Sequence, residues 1–196
     1  MKKRKSGRRT TSSRKTRRSS KPIAPPTRKS SRKTPASPPL AYLGLGSNVA
    51  NRRAHLEAAL REIATFARVR KVSSFYRTDP VGFRDQRDFW NAVVEIAWTG
   101  TPAALLRTVR EVERRVGRTR TFVNGPREID VDILDVGGRR RTRFDPILPH
   151  PRLAERRFAL VPLAEIRPDW VDPVSGLGIA ELRRRLPRSP RVRKIG

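Results

Sequence analysis

The chain has 196 residues, no cysteine, and 46 lysines and arginines against 18 acidic residues, a formal charge of +28. That length holds one ordinary domain with a real core and hardly two. The lack of cysteine excludes a disulfide framework and suits a reducing cytoplasm, and no stretch is apolar enough to read as a secretory signal or a membrane span.

The charge is distributed unevenly. Residues 1–39 carry 15 Lys or Arg, 13 Ser or Thr, six Pro and no acid, with almost nothing apolar beyond Ile23. A segment of that composition cannot bury enough surface to offset its ordering entropy, so it is expected to be disordered. It lacks the amphipathic face of a mitochondrial presequence. Its charge permits non-specific contact with nucleic acid through counterion release; a solubilising appendage or a misassigned start codon explains it equally well. Residues 183–196 add seven basic residues and no acid, and 187–196 reads as a second basic tail. The segment between, 40–182, has 24 basic and 18 acidic residues, a net charge of only +6, and 40–186 is the expected folded domain.

Within it, Ala41–Gly46 reads as a buried strand entering a Gly-Ser-Asn turn. Asn51 is placed to cap a helix over 52–67, where Leu56, Ala59, Leu60, Ile63 and Phe66 recur at helical spacing. Val69–Thr78 alternates and reads as one strand, followed by a polar loop over 79–88 and a strand over Phe89–Trp98. Thr101 caps and Pro102 starts a second helix, with Leu105, Val109 and Val112 on one face and Gly117 at its end. Arg127–Val136 is a fourth strand. Gly137-Gly138 signals a hairpin into Arg141–Phe144, and helices are predicted near Phe158–Ile166 and Ile179–Leu186. The order β-α-β-β-α-β is the ferredoxin-like α+β pattern, here with an extra β-hairpin and C-terminal helices. That fold hosts phosphotransferases, metal carriers and RNA-binding domains, so it leaves function open.

Chemistry concentrates in Gly125-Pro-Arg-Glu-Ile-Asp-Val-Asp132. Strand alternation points Asp130 and Asp132 to the same side, where like charges need a cation between them or a shared proton. Arg127 lies just upstream, and Arg118 and Arg120 one short loop earlier. Carboxylates among arginines point to a divalent metal bridging to phosphate. Alone, an Asp-x-Asp pair reads first as a solvent-facing strand edge with two acidic residues.

Four separated stretches decide between these readings. They are Tyr42-Leu-Gly-Leu-Gly-Ser-Asn48; Ser73-Ser-Phe-Tyr-Arg-Thr78 with Pro80, Gly82, Gln86, Phe89 and Asn91; Glu113 with Gly117-Arg118 and the Gly125–Asp132 run; and Pro149-His-Pro-Arg152 with Arg156, Phe158 and Pro162. In order and spacing they resemble the 6-hydroxymethyl-7,8-dihydropterin pyrophosphokinase family of folate biosynthesis over roughly residues 41–170.

The resemblance implies transfer of a pyrophosphoryl group from ATP to the hydroxymethyl oxygen of a dihydropterin, with release of AMP. By the same resemblance Asp130 and Asp132 hold two Mg²⁺ ions, and Arg118 and Arg127 act beside them in catalysis. Arg110, Glu113, Arg118, Arg120, Arg127, Ile133, His150 and Arg156 fall at ATP-binding positions. Gly46, Thr78, Val81, Phe89, Asn91 and Phe158 fall at pterin-binding ones. The chemistry is consistent: hard cations take oxygen ligands, guanidinium forks suit phosphate, and a flat polar-edged ring takes aromatic faces and a hydrogen-bonding edge. His150, between two prolines, has a restricted backbone, whereas His55 carries no expected role.

Three residues depart from the family pattern: Asn124 where many members carry tryptophan, Thr121 where some carry lysine, and Asp145 where an arginine can stand near the nucleotide. A rival reading is an RNA-recognition domain, but Phe89–Ala97 lacks the Lys/Arg-Gly-aromatic-Gly-aromatic run of such a domain. An inactive relative is a third reading, disfavoured by the intact Asp pair and His150. A monomeric, cytoplasmic enzyme with no membrane contact is expected.

Overall fold

The computed structural model describes residues 38–81, 85–119, 122 and 125–195, so the expected disorder of 1–39 lies outside them except at Pro38 and Pro39. The elements run β1 (Leu40–Ser47), α1 (Arg52–Phe66), β2 (Arg68–Val72), β3 (Tyr76–Thr78), β4 (Phe89–Ala97), α2 (Pro102–Arg115), β5 (Asp130–Val136), α3 (Arg157–Ile166), α4 (Ile179–Arg185) and β6 (Val192–Lys194). Among the described residues no helix is long and apolar enough to cross a membrane.

Both expected helix caps are in place. Asn51 accepts from Ala54 N (3.2 Å) and Thr101 from Ala104 N (3.1 Å), each satisfying a donor that the first helical turn leaves over. The strands form one antiparallel sheet in the order β5-β1-β4-β3-β6, with β2 pairing β4 beside β3. Alternation along the strands divides the core in two. Leu43, Leu45, Ile96, Val131 and Ile133 pack with Leu56 and Ile63 of α1 and with Leu105 and Val109 of α2. Tyr42, Val93 and Leu134 pack with Leu160 and Leu163 of α3 and with Ile179 and Leu182 of α4. The sheet is therefore the middle layer of three, and the C-terminal helices cover the face that α1 and α2 leave.

One irregularity changes which side chains reach that second face. The β1–β5 register shifts between Tyr42 and Leu43, which pair with Asp135 and Ile133. The extra residue lets Leu134 and Asp135 lie toward the same layer, as a bulge does. The buried Asp135 carboxylate accepts from Trp170 Nε1 (3.1 Å) and Gly138 N (3.3 Å), and burial raises its pKa.

Three expectations need correcting. The predicted strand Val69–Thr78 is two strands, because the Ser73 hydroxyl accepts from Val93 N (2.9 Å) in place of a ladder bond. The predicted hairpin strand Arg141–Phe144 does not form. Gly137 and Gly138 do take positive φ (63° and 65°), but Arg141 forms only an isolated bridge with Leu148. Pro146 and Pro149 lack the donors a ladder needs, and residues 139–143 have no apolar face. Finally, residues 187–196 are not simply a basic tail, since β6 pairs with β3. Charge concealed that strand; backbone pairing, which does not depend on side chains, makes it.

Glu165 ties this last strand down. Its carboxylate accepts from Ser74 N (2.8 Å), Ser74 Oγ (2.8 Å), Tyr76 Oη (3.0 Å) and Lys194 Nζ (2.9 Å). Partial burial alone would raise its pKa, but these donors outweigh it and hold the carboxyl at about 2. A depressed carboxyl contributes stability above its unfolded value that is lost as pH falls toward the folded one. We expect Glu165→Ala to cost about 1–2 kcal/mol at neutral pH, with the difference from wild type narrowing from pH 4 toward 2. Urea unfolding across that range measures it; a gap that stays constant with pH would contradict this role.

Candidate active site

The register places three residues in a row across the sheet: Asn91 on β4, Gly46 on β1 and Asp130 on β5. Gly44, two residues back, pairs with Asp132. Two glycines on the central strand thus leave bare backbone between Asn91 and the acidic pair. A Cβ on Gly46 would stand 3.1 Å from Asn91 Oδ1, so a side chain here would press on the amide. Above this floor lies a cavity of about 200 Å³.

All six expected pterin-contact residues line it: Gly46, Thr78, Val81, Phe89, Asn91 and Phe158. Asn91 is buried, and its Nδ2 donates to Thr78 Oγ1 (2.9 Å), which fixes the orientation of the amide. Asp130, Asp132, Arg127 and Arg156 line the same cavity.

Arginines balance the carboxylates. Asp130 is bridged by Arg118 Nη1 (2.8 Å) and Arg127 Nη1 (2.8 Å), and Asp132 by Arg156 Nη1 (2.5 Å). Arg127 and Arg156 also lie over rings, their guanidinium carbons 5.8 Å from the centre of Phe89 and 5.6 Å from that of Phe158. Each aspartate is therefore linked through one arginine to one phenylalanine.

Glu113 has a supporting place. Burial pushes its pKa up, while the Val131 amide (2.8 Å) and Arg118 pull the other way. It holds both Arg118 and the backbone between the two aspartates, and it does not line the cavity. His150 N donates to Leu134 O (2.8 Å), and its Nδ1 accepts from Arg152 N (3.1 Å). Burial lowers its pKa, Asp132 acts to raise it and Arg156 to lower it.

Other expected nucleotide contacts stand apart. The Ile133 side chain is buried in the layer against α1 and α2, because alternation turns it away from Asp130 and Asp132; its backbone alone could reach a ligand. Arg110 is exposed on α2, outside the cavity lining. Arg120, Thr121 and Asn124 lie outside the described residues. Asp145 is met at its backbone carbonyl by Arg141 Nη2 (3.3 Å).

Asn48 is a residue that the motif contained but to which no role was attached. Fully buried, it accepts from Arg127 N through Oδ1 (2.8 Å) and donates through Nδ2 to Gln86 Oε1 (2.9 Å) and Arg87 O (3.3 Å). It joins the end of β1, the 79–88 loop and the approach to β5. An Asn directly after a buried strand's Gly-Ser signals such a junction, though not its partners. Arg152, which the fourth motif contains without a role, also lines the cavity, as do Glu155, Arg157 and Pro190, which no motif contains.

As a metal seat, the arrangement offers two hard carboxylates from one strand face, both at the cavity. Among the described residues no cluster of three acidic, His or Cys ligands forms. That donor set fits Mg²⁺, which takes one or two carboxylates and completes its shell with water and substrate phosphate.

Residues 42–168 match the family described as 7,8-dihydro-6-hydroxymethylpterin-pyrophosphokinase (HPPK). The chain belongs to the HPPK family. It is 44% identical over 129 residues to a 2-amino-4-hydroxy-6-hydroxymethyldihydropteridine pyrophosphokinase of Bacillus subtilis, covering 65% of this chain and 77% of that one. To the protein of the same description from Methylorubrum extorquens it is 44% identical over 133 residues, covering 67% and 84%. Among solved structures it resembles the wild-type HPPK-DHPS of Plasmodium falciparum, with a TM-score of 0.59 at 15% identity, covering 74% of this chain and 44% of that one. The chain thus spans under half of that longer protein, and this likeness speaks to the mixed α/β fold alone.

Glu113 gives a test of how an HPPK-family site is braced. Glu113→Ala leaves the buried Val131 amide without its acceptor and Arg118 with Asp130 alone, so it is expected to cost about 2 kcal/mol of stability and to slow turnover roughly tenfold or more by loosening Arg118. Glu113→Gln, which can still accept from Val131 N, should recover most of the stability and less of the rate. Chemical denaturation and steady-state kinetics on both variants check this. Equal, wild-type-like behaviour of the two would remove Glu113 from the scheme.

Proposed function

We propose that the cavity over Gly44 and Gly46 is where this pyrophosphokinase joins ATP to 6-hydroxymethyl-7,8-dihydropterin. The observation that carries the reading is the meeting, in one cavity, of the Asp130–Asp132 pair with the Phe89, Asn91 and Phe158 set. Strand order β5-β1-β4 followed by β2 and β3, with α1 and α2 on one face, supports a ferredoxin-like core.

The reaction is ATP-dependent pyrophosphoryl transfer in folate biosynthesis. The pterin's hydroxymethyl oxygen forms a bond to the β-phosphorus of ATP, the bond from that phosphorus to the α–β bridging oxygen breaks, AMP leaves, and the hydroxyl proton is released. Transfer of this kind asks for alignment and charge compensation more than for a covalent nucleophile.

The pterin lies between Phe89 and Phe158, which offer apolar faces, while Asn91, its amide fixed by Thr78, meets the polar edge of the ring. Val81 and the glycine floor shape the remaining wall. Arg127 and Arg156 present forks toward the phosphates, with Arg118 behind Asp130. His150, its Nδ1 engaged by Arg152 N, keeps Nε2 for a phosphate oxygen. Asp130 and Asp132 would hold two Mg²⁺ ions, which would supply charge neutralisation to the triphosphate.

The basic segment over 1–37 lies outside the described residues; its charge supports non-specific contact with polyanions and gives it no part in the chemistry.

The direct experiment follows AMP formation with ATP, Mg²⁺ and the hydroxymethyl dihydropterin. Wild type should form AMP only when pterin is present, and Asp130→Ala/Asp132→Ala should lose about three orders of magnitude or more. A folded wild type that releases no pterin-dependent AMP, or a double variant that retains full rate, would end this reading.

A further inference from the structure

β3 is only three residues long, and β4 covers one of its edges. β6 covers the other, pairing Tyr76 with Lys194 and Thr78 with Val192. The contact continues beyond both strands. Ile195 N donates to Phe75 O (2.8 Å), Asp79 N to Arg191 O (3.4 Å), and Arg191 N to Asp79 Oδ2 (3.1 Å). Lys194 is held in turn by Glu165. Pro190, the residue before Arg191, lines the cavity together with Thr78 and Asp79.

These contacts lead to the groups that read the ring. Thr78, paired with Val192, accepts from the Asn91 amide. Asp79 begins the segment that carries Val81 into the cavity. At its far end the same loop is fixed by Asn48 to Gln86, by Arg52 Nη1 to Asp88 O (2.9 Å), and by Arg77 to Asp88 (2.5 Å). The near end is fixed by the C-terminal segment. A three-residue strand with an open edge is weakly held, so β6 decides how firmly Thr78 and Asp79 keep their positions.

We propose that Pro190–Lys194 is a positioning element for the pterin: it clamps Thr78 and Asp79 and supplies Pro190 as a wall, and so sets affinity for the pterin and not for ATP. The proposal rests on the pterin pocket assigned under Proposed function. Both Arg191 contacts to Asp79 use backbone atoms, so the Arg191 side chain plays no part in them.

The test uses the full chain and measures KM for each substrate, kcat and thermal stability. Asp79→Ala removes the acceptor for Arg191 N, and Pro190→Gly removes the wall while leaving β6 in place. Each should raise the pterin KM about five- to tenfold, the effect of one hydrogen bond or one small apolar contact. The ATP KM and kcat should stay within about twofold. Asp79→Asn, which still offers an oxygen to Arg191 N, should restore most of the pterin affinity. The proposal fails if either Asp79→Ala or Pro190→Gly leaves the pterin KM within twofold of wild type, or if both KM values rise together. Asn91→Ala separates this outcome from failure of the pocket assignment. An unchanged pterin KM in Asn91→Ala sinks the pocket and the clamp together, whereas a raised one beside a normal Asp79→Ala sinks the clamp alone.

Discussion

The repulsion between Asp130 and Asp132 is the constraint on which the site is built. Two carboxylates on one strand face repel each other at a partly covered surface, and cations close by offset that repulsion. The fold brings those cations from three places distant in sequence. Arg118 follows α2, Arg127 precedes β5, and Arg156 stands at the entry to α3. Each must be held in turn, Arg118 by Glu113, and Arg127 by Asn48, which accepts from its amide. The loops around β5 are thus arranged by the need to compensate one local charge density.

A second constraint is room. The sheet offers a binding floor only because β1 passes beneath the site as Gly44 and Gly46, between the Asn91 strand and the acidic strand. Elsewhere on that face Tyr42, Val93 and Leu134 fill the space against α3 and α4. Replacing side chains by hydrogens at two alternate positions of the central strand opens a concavity without breaking a ladder bond. Phe89 on β4 and Phe158 on α3 line the concavity so opened.

The sequence made much of this readable for physical reasons. Helix caps at Asn51 and Thr101, the apolar spacing of α1 and α2, and alternation through Asp130–Val136 are local signals, and local signals survive in one dimension. Four motifs in register carried Phe89, Asn91 and Phe158, the acidic pair and their arginines, which meet at one cavity. Pairings that join distant backbone were not readable. Nothing in Val192–Lys194 distinguishes a strand from a basic tail, because its bonds to β3 are main-chain bonds and its side chains are charged. The break at Ser73 depends on a hydroxyl meeting Val93 N. Motif positions alone also do not tell a side chain that faces the cavity from one that does not: the Ile133 side chain is buried against α1 and α2, and Glu113 holds Arg118 and the Val131 amide outside the cavity lining.

The charges lining the cavity suggest how substrate enters without large electrostatic cost. Its walls include four acidic residues, Asp79, Asp130, Asp132 and Glu155, and four arginines, Arg127, Arg152, Arg156 and Arg157. Arg127 and Arg156 are engaged with the aspartates and lie over the two phenyl rings. On the reading proposed above, a triphosphate brings new acceptors for the same guanidinium forks, and the aspartates released from them are offered to the accompanying divalent cations. The pterin brings a flat ring to the phenyl faces. Each charged group that changes partner in this exchange goes from one partner of opposite charge to another, so the site avoids stripping a lone ion of solvent, the most expensive electrostatic step available to it. What the fold supplies is a set of ionic contacts close enough in strength for one to replace another, held on a rigid sheet so that the replacement aligns the reacting oxygen and phosphorus.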